Sequence, residues 1–151
     1  MNSLYKQFML ESNKIEGEDR INPGDIEALK FVLNNEITTE NILKTHELLG
    51  NYLNKDWVGK YRTCEVSVGG YSCPPKVVVK ERMDKLIEVA PYVDSWNLHN
   101  SFEFIHPFRD LNGRTGRLLW LKKAIKEGYN FNISFLHEYY YQTLIYATRK
   151  I

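Results

Sequence analysis

The stretch HPFRDLNGRTGR, His106 to Arg117, gathers a histidine, an aspartate, an asparagine, two glycines and three arginines within twelve residues. Pro107 pushes the residue before it out of the right-handed α region. A helix running into the motif is therefore expected to end at His106, with its imidazole at a helix–loop boundary. The next helix is expected to start near Asn112 or Gly113. There the first N–H groups lack intrahelical partners, and the helix dipole adds partial positive charge. Such a helix end binds phosphate, and glycine lets the phosphate approach closely. Arg114 and Arg117, three apart, project from the first turn, and guanidinium groups clamp phosphate oxygens in pairs. Asp110 is a hard oxygen ligand suited to Mg²⁺, which takes one or two carboxylates plus substrate phosphates. His106 has a proton affinity suited to accepting a proton from an alcohol. Taken one at a time, these residues fit a solvated loop, with glycines for turns and Asp110 or Asn112 as a helix cap. Together they fit phosphoryl or nucleotidyl transfer from a metal-bound nucleotide.

The elements that must position these groups are mostly helical. Leu4, Phe8 and Ile15, with Met9 beside them, form a stripe over a helix from Ser3 to about Lys14 that stops at Gly17. Ile26, Leu29, Val32 and Leu33 follow at helical spacing after Pro23. A threonine cap then opens a helix with Ile42, Leu43, His46, Leu49 and Leu53 on one face. The middle changes period: Cys64, Val66 and Val68 alternate, Gly69 and Gly70 intervene, and Tyr71 and Cys73 follow. Alternation broken by Gly-Gly predicts a short β-hairpin. Helix resumes with Val79, Met83, Leu86 and Ile87, then with Trp96, Leu98, Phe102 and Ile105 leading to the motif. Beyond the motif, Leu118, Leu119, Leu121 and Ile125 are expected on an apolar face closed by Gly128, and Ser134 would cap a last helix. Phe108 is assigned to the core as the anchor of the loop. His46 and His99 are read as packed or hydrogen-bonded structural residues, and His137 as a surface residue. The run Tyr139 to Tyr141 reads as core that could offer a ring to adenine. The fold class is all-α with one small hairpin.

A chain of 151 residues suits one domain, here residues 1–151. Twenty Lys and Arg against 19 Asp and Glu leave a formal charge of +1. No bulk attraction to nucleic acid or an anionic membrane is expected, so any anion site must be local. Two cysteines, Cys64 and Cys73, read as reduced thiols of a cytoplasmic protein. The N-terminus lacks the apolar core of a signal peptide, and no run reaches the length of a membrane span. Self-association is left open.

HPFRDLNGRTGR resembles the Fic motif, H-P-F-x-D/E-G-N-G-R-x-x-R. ILKTHELL, GKYR, the hairpin before Pro74-Pro75 and SFEFIHPF are similar to stretches that precede that motif in Fic domains. The resemblance implies a helical Fic fold and transfer of AMP from Mg-ATP to a Ser, Thr or Tyr hydroxyl of a target protein. It implies His106 as the base, Asp110 as the Mg²⁺ ligand and Asn112 on the α-phosphate. The amides around Gly113 and Arg114 would take the β-phosphate, and Arg117 the γ-phosphate. Glycine at 113, where Doc-like relatives carry lysine, favours AMP transfer over phosphate transfer. Residues Val66, Ser67, Val68, Gly69 and Gly70 resemble the flap that docks a target by strand addition. Leu111 is the departure, standing where the pattern has glycine. Its N–H remains a donor toward phosphate, and a turn needing positive φ would strain it.

SNKIEG, Ser12 to Gly17, resembles the inhibitory motif of Fic proteins, which places an inhibitory helix at residues 3–17. Four apart, Ser12 and Glu16 are expected on one helix face. Glu16 would pair with Arg117 and take the place of the γ-phosphate. Alternatives are AMP removal, with Glu16 positioning water, a different nucleotide donor, and a catalytically silent module that binds a peptide strand.

Overall fold

The computed structural model describes residues 3–128. The expected cap at Ser134, His137 and the tyrosine run 139–141 lie outside the described residues. Within them, six helices and one two-stranded hairpin follow in the predicted order. These are α1 (Ser3–Ile15), α2 (Asp25–Asn34), α3 (Thr39–Gly50), β1 (Ser67–Val68), β2 (Tyr71–Ser72), α4 (Val79–Val89), α5 (Ser95–Ile105) and α6 (Asn112–Lys126). The caps follow from side chains that satisfy orphan N–H groups. Thr38 accepts from the Asn41 amide at 3.1 Å, and Asp94 from the Asn97 amide at 2.7 Å. Leu53, expected on the face of α3, instead sits in a short 3₁₀ turn after it, partly buried against the core.

Helix α6 is the shared element of two apolar clusters. Leu118, Trp120, Leu121 and Ala124 meet Phe8, Met9, Leu29, Val32 and Leu49 from α1, α2 and α3. Leu119 joins Ile42, Met83, Leu98 and Phe102 from α3, α4 and α5. A helix packed on several sides is apolar nearly all round. That is why the expected one-sided stripe is incomplete: Trp120 is buried, whereas Ile125 is 41% exposed.

The segment between α1 and α2 folds back as a polar knot. Asp25 Oδ2 accepts from Asn13 Nδ2 at 2.7 Å and from the Asn22 amide at 2.8 Å, while Asn13 Nδ2 also donates to the Arg20 carbonyl at 2.8 Å. Gly24, at φ +89°, lies against the Leu48 carbonyl, where a side chain would collide. These bonds fix the course of residues 16–24 and bring two acidic side chains to the first turn of α6. No helix of the described residues is long and apolar enough to cross a membrane.

Candidate active site

His106 caps the C-terminus of α5 at φ 51°, ψ 62°, its amide donating to the Phe102 carbonyl at 2.9 Å. Proline excludes the right-handed helix there as expected, and the backbone takes the left-handed region in place of an extended one. Its Nδ1 lies 3.3 Å from the Glu103 carbonyl. A carbonyl can only accept, so Nδ1 carries the proton and Nε2 keeps the lone pair. Burial presses the proton affinity of His106 below the usual histidine value, against the pull of that Glu103 carbonyl. The ring is therefore neutral near pH 7, the form a general base needs.

Residues 107–111 form a loop stitched from inside. Asn112 is buried, its Oδ1 accepting from the Phe108 amide and its Nδ2 donating to the Phe108 carbonyl, both at 2.8 Å. Much of its side chain thus serves the loop, and one Nδ2 hydrogen remains for another acceptor. Phe108 is fully buried, as expected, and stacks on His46 with ring centroids 3.8 Å apart. His46 Nδ1 accepts from the Gly59 amide at 2.9 Å, so its Nε2 carries the proton given to the Asp110 carbonyl at 2.9 Å. Burial pushes His46 down to about 4, which keeps it neutral. Asp110 itself is exposed.

Leu111 does sit at positive φ, 66°. Its side chain is buried, and it packs so close to Gly50 that a Cβ there would lie 3.0 Å from Leu111 Cδ1. The left-handed backbone costs a non-glycine residue about 1–2 kcal/mol, and burial of the leucine offsets it by about 1.5–3 kcal/mol. The Leu111 amide donates to Asp110 Oδ1 at 2.7 Å, so that donor is engaged within the loop.

Two of the three motif arginines, Arg114 and Arg117, are held by carboxylates from the segment after α1. Arg117 is buried; its Nε donates to Ser12 Oγ at 2.6 Å, and its Nη2 to the Ser12 carbonyl at 3.0 Å and to Glu16 Oε1 at 2.6 Å. Glu16 lies in the turn just past α1, its amide bonded to the Asn13 carbonyl at 2.9 Å. The pair therefore bridges a helix end and a turn, not one helix face, yet both reach Arg117. Arg114 Nη2 donates to Glu18 Oε1 at 3.1 Å, a partner the sequence did not suggest. Donation from Asn22 and then from Arg114 holds the Glu18 carboxyl below its usual range.

Two glycines make room for this crowding. A Cβ on Gly113 would lie 2.6 Å from Glu16 Oε1 and 2.9 Å from Arg117 Nη1. A Cβ on Gly116 would run into Glu103 Oε1. Glu103 is nearly buried, with Oε2 3.9 Å from His106 Nδ1 and Oε1 without a hydrogen-bond partner among the described residues. Burial raises its carboxyl to about 7, Glu16 adds to the rise and Arg117 opposes it. His99, read as structural, is buried with Nδ1 3.2 Å from the Gly116 carbonyl.

The hairpin pairs Ser67 with Ser72 and Val68 with Tyr71, and the Cys73 amide donates to the Val66 carbonyl at 3.0 Å. Gly69 and Gly70 both take positive φ, 55° and 84°, the requirement of a tight two-residue turn with the twist of a hairpin. Both strands are exposed, and Cys64 and Cys73 are free thiols. Among the described residues no cluster of three or more His, Cys, Asp or Glu could hold a metal by itself. Asp110 is a single carboxylate with open surroundings, which fits an ion such as Mg²⁺ that completes its shell with substrate phosphates and water.

The Fic/DOC family model matches residues 36–122, more than half of the chain. The chain is 28% identical over 136 residues to a protein adenylyltransferase Fic of Nematostella vectensis, covering 80% of this chain and 30% of that protein. It is 31% identical over 104 residues to one of Drosophila willistoni, covering 62% and 21%. Among solved structures it is similar to a Fic family protein from Desulfovibrio desulfuricans G20, with TM-score 0.66 at 23% identity over 83% of this chain and 50% of that one. It is also similar to Fic-1 (residues 134–508) from C. elegans, with TM-score 0.66 at 24% identity over 83% and 42%. The chain thus spans less than a third of the length of these curated relatives. The matched residues take in both the hairpin and the motif loop, and the chain belongs to the Fic/DOC family.

Proposed function

We propose that this chain is a protein adenylyltransferase that moves AMP from ATP to a hydroxyl side chain of a target protein, and that Glu16 restrains it. The observation that carries the reading is the 2.6 Å bond from Glu16 to Arg117, a buried guanidinium one turn into α6 beside the loop of His106. A polyphosphate tail and the Glu16 carboxylate want the same donor. The curated relatives bear the name protein adenylyltransferase, which supports the class of reaction.

In this reading His106 Nε2 takes the proton of a Ser, Thr or Tyr hydroxyl as its oxygen attacks the α-phosphorus. The bond to the β-phosphate breaks, and pyrophosphate leaves. Free amides at the start of α6 and the helix dipole receive phosphate charge. Asp110 would hold Mg²⁺, which supplies neutralising charge to the phosphates when bound. An extended target segment lies along the exposed hairpin, so that backbone pairing aligns the hydroxyl. A cytoplasmic setting suits the two free thiols.

The test is incorporation of label from α-³²P-ATP into lysate proteins and into the chain itself. Signal in Glu16→Gly, weak in wild type and lost in Glu16→Gly with His106→Ala, is the expected result. Absence of label in every form refutes AMP transfer; γ-labelled ATP, other nucleotides and an AMP-removal assay then separate the remaining donors from a silent binding module.

A further inference from the structure

Arg62 is a buried arginine outside the motif, 4% exposed, and its side-chain hydrogen bonds all go to carbonyl oxygens. Nε donates to the His106 carbonyl at 2.7 Å, and Nη2 to the Ile105 carbonyl at 3.3 Å. The Arg62 amide adds a bond to the Pro107 carbonyl at 2.9 Å. These three carbonyls lie where α5 has ended and the next turn is missing, so nothing within the helix can satisfy them. A cation there also complements the dipole.

The other side of the same guanidinium holds the hairpin. Nη1 donates to the Cys64 carbonyl at 3.0 Å and Nη2 to the Pro74 carbonyl at 2.5 Å. Cys64 and Pro74 flank the two strands, one on each side. One planar fork thus spans the base of the hairpin and the backbone of His106, a reach that a lysine ammonium does not have.

We propose that Arg62 is a positioning residue that ties the target-docking hairpin to the His106 backbone, so that a strand paired along the hairpin presents its hydroxyl in register with the imidazole. This rests on the transferase reading of the site. Without the tie the two halves of the reaction drift separately: the base on its loop and the hydroxyl on its strand. Nucleotide binding, built from Asp110, α6 and Arg117, does not pass through Arg62.

The test uses the full chain in the Glu16→Gly background, with Arg62→Lys keeping the charge and losing the fork, and Arg62→Gln losing both. The rate of label transfer from α-³²P-ATP to lysate proteins at saturating ATP should fall about 10–100-fold, the scale of an ångström of misplacement. The ATP concentration for half-maximal rate should stay within about threefold, because a lost positioning contact lowers turnover and not nucleotide binding. Amide hydrogen exchange should quicken together at residues 64–73 and 105–108, with α2 and α3 unchanged. Unchanged labelling overturns the proposal. So does an equal loss of ATP binding, faster exchange throughout α2 and α3, or faster exchange of the hairpin alone. If the Glu16→Gly parent labels nothing, the transferase reading fails by itself, and the exchange pattern still decides whether Arg62 couples the two segments.

Discussion

Removing the Glu16 carboxylate should weaken the fold and tighten nucleotide binding at once. Glu16→Ala is the useful substitution, since it deletes the carboxylate without adding the backbone freedom of glycine. The bond it removes is short, 2.6 Å, and its two ends differ: the Arg117 side chain is 1% exposed and that of Glu16 37%. A hydrogen bond to a charged group contributes about 1.5–3 kcal/mol, and solvent around Glu16 brings that down to about 1–1.5 kcal/mol. The larger penalty of a stranded buried charge does not apply, because Arg117 keeps its bonds to Ser12 Oγ and the Ser12 carbonyl. Without nucleotide, the melting temperature should fall by about 2–6 °C, at roughly 2–4 °C per kcal/mol for a chain of this size. On the proposed function, ATP would have to displace that same bond in wild type to reach Arg117. Its removal should tighten Mg-ATP binding by roughly 5–15-fold.

Differential scanning fluorimetry without ligand and titration calorimetry with Mg-ATP read the two signs separately. Ser12→Ala is the control: it takes away the Nε bond yet leaves Glu16 in place, so stability falls and affinity does not rise. A lower melting temperature with unchanged ATP affinity would make Glu16 a structural partner of Arg117 and nothing more. Tighter binding with no loss of stability would mean that Glu16 excludes nucleotide by bulk and not through the arginine.

Two further outcomes follow from the same geometry. Leu111→Gly should destabilise by about 1–3 kcal/mol in a denaturant titration, since relief of about 1–2 kcal/mol at positive φ falls short of the roughly 2–5 kcal/mol lost with a buried leucine; stabilisation would show that its packing on Gly50 is without weight. Glu103, raised to about 7 from an ordinary 4.5, holds its proton in the folded chain, so its contribution is full below pH 4.5 and is lost as pH rises to about 7. His46 and His99, lowered from 6.5 to about 4, contribute in the opposite sense, with stability present above pH 6.5 and lost as pH falls toward 4. Glu103→Gln should therefore steepen the rise in melting temperature between pH 4 and 6.5 and lift it above wild type beyond pH 7, whereas parallel curves would refute a buried acid at 103.

What the sequence disclosed was local. The His-Pro step, the Gly-Gly turn and the threonine cap each carry their physics within a few residues and recur in the structure, whereas Ser12 and Glu16 reach Arg117 from a helix end and a turn rather than from one helix face. Contacts made across the chain were not legible. Nothing near Glu18 marks it as the partner of Arg114, because the approach depends on how Asn13, Asn22 and Asp25 knot the intervening segment. Glu103 carries no mark in the sequence either, since its packing on α6 depends on the bare backbone of Gly116. Leu111 read as a strained departure until its contact with Gly50, sixty-one residues earlier in the numbering, supplied the compensation. Asn112 read as a phosphate ligand, and the structure adds its two bonds to Phe108.

If Glu16 restrains the site as proposed, the glycines of α6 also bear on how that restraint would be released. Gly113 leaves a space that the Glu16 carboxylate occupies beside Arg117, with an oxygen 2.6 Å from where a Cβ would stand. A phosphate seeking the same guanidinium needs that space as well. A Cβ at 113 would crowd the Glu16 carboxylate and the Arg117 guanidinium together, so a substitution there would disturb both partners of the bond. On the proposed restraint, release would come from the segment that carries Glu16. That segment is held by the bond that Arg114 donates to Glu18 and by the Asn13–Asp25 contact. Within it Gly17, at φ +81°, has nothing within 4 Å of its missing Cβ, and its amide is bonded to the Lys14 carbonyl at 3.0 Å. Loosening the bonds of Glu18 or Asp25 would let Glu16 swing away about Gly17 while the motif loop, stitched by Asn112 and His46, stays in place. On the proposed restraint, the residues that would govern release are 13–25, away from those that would do the chemistry.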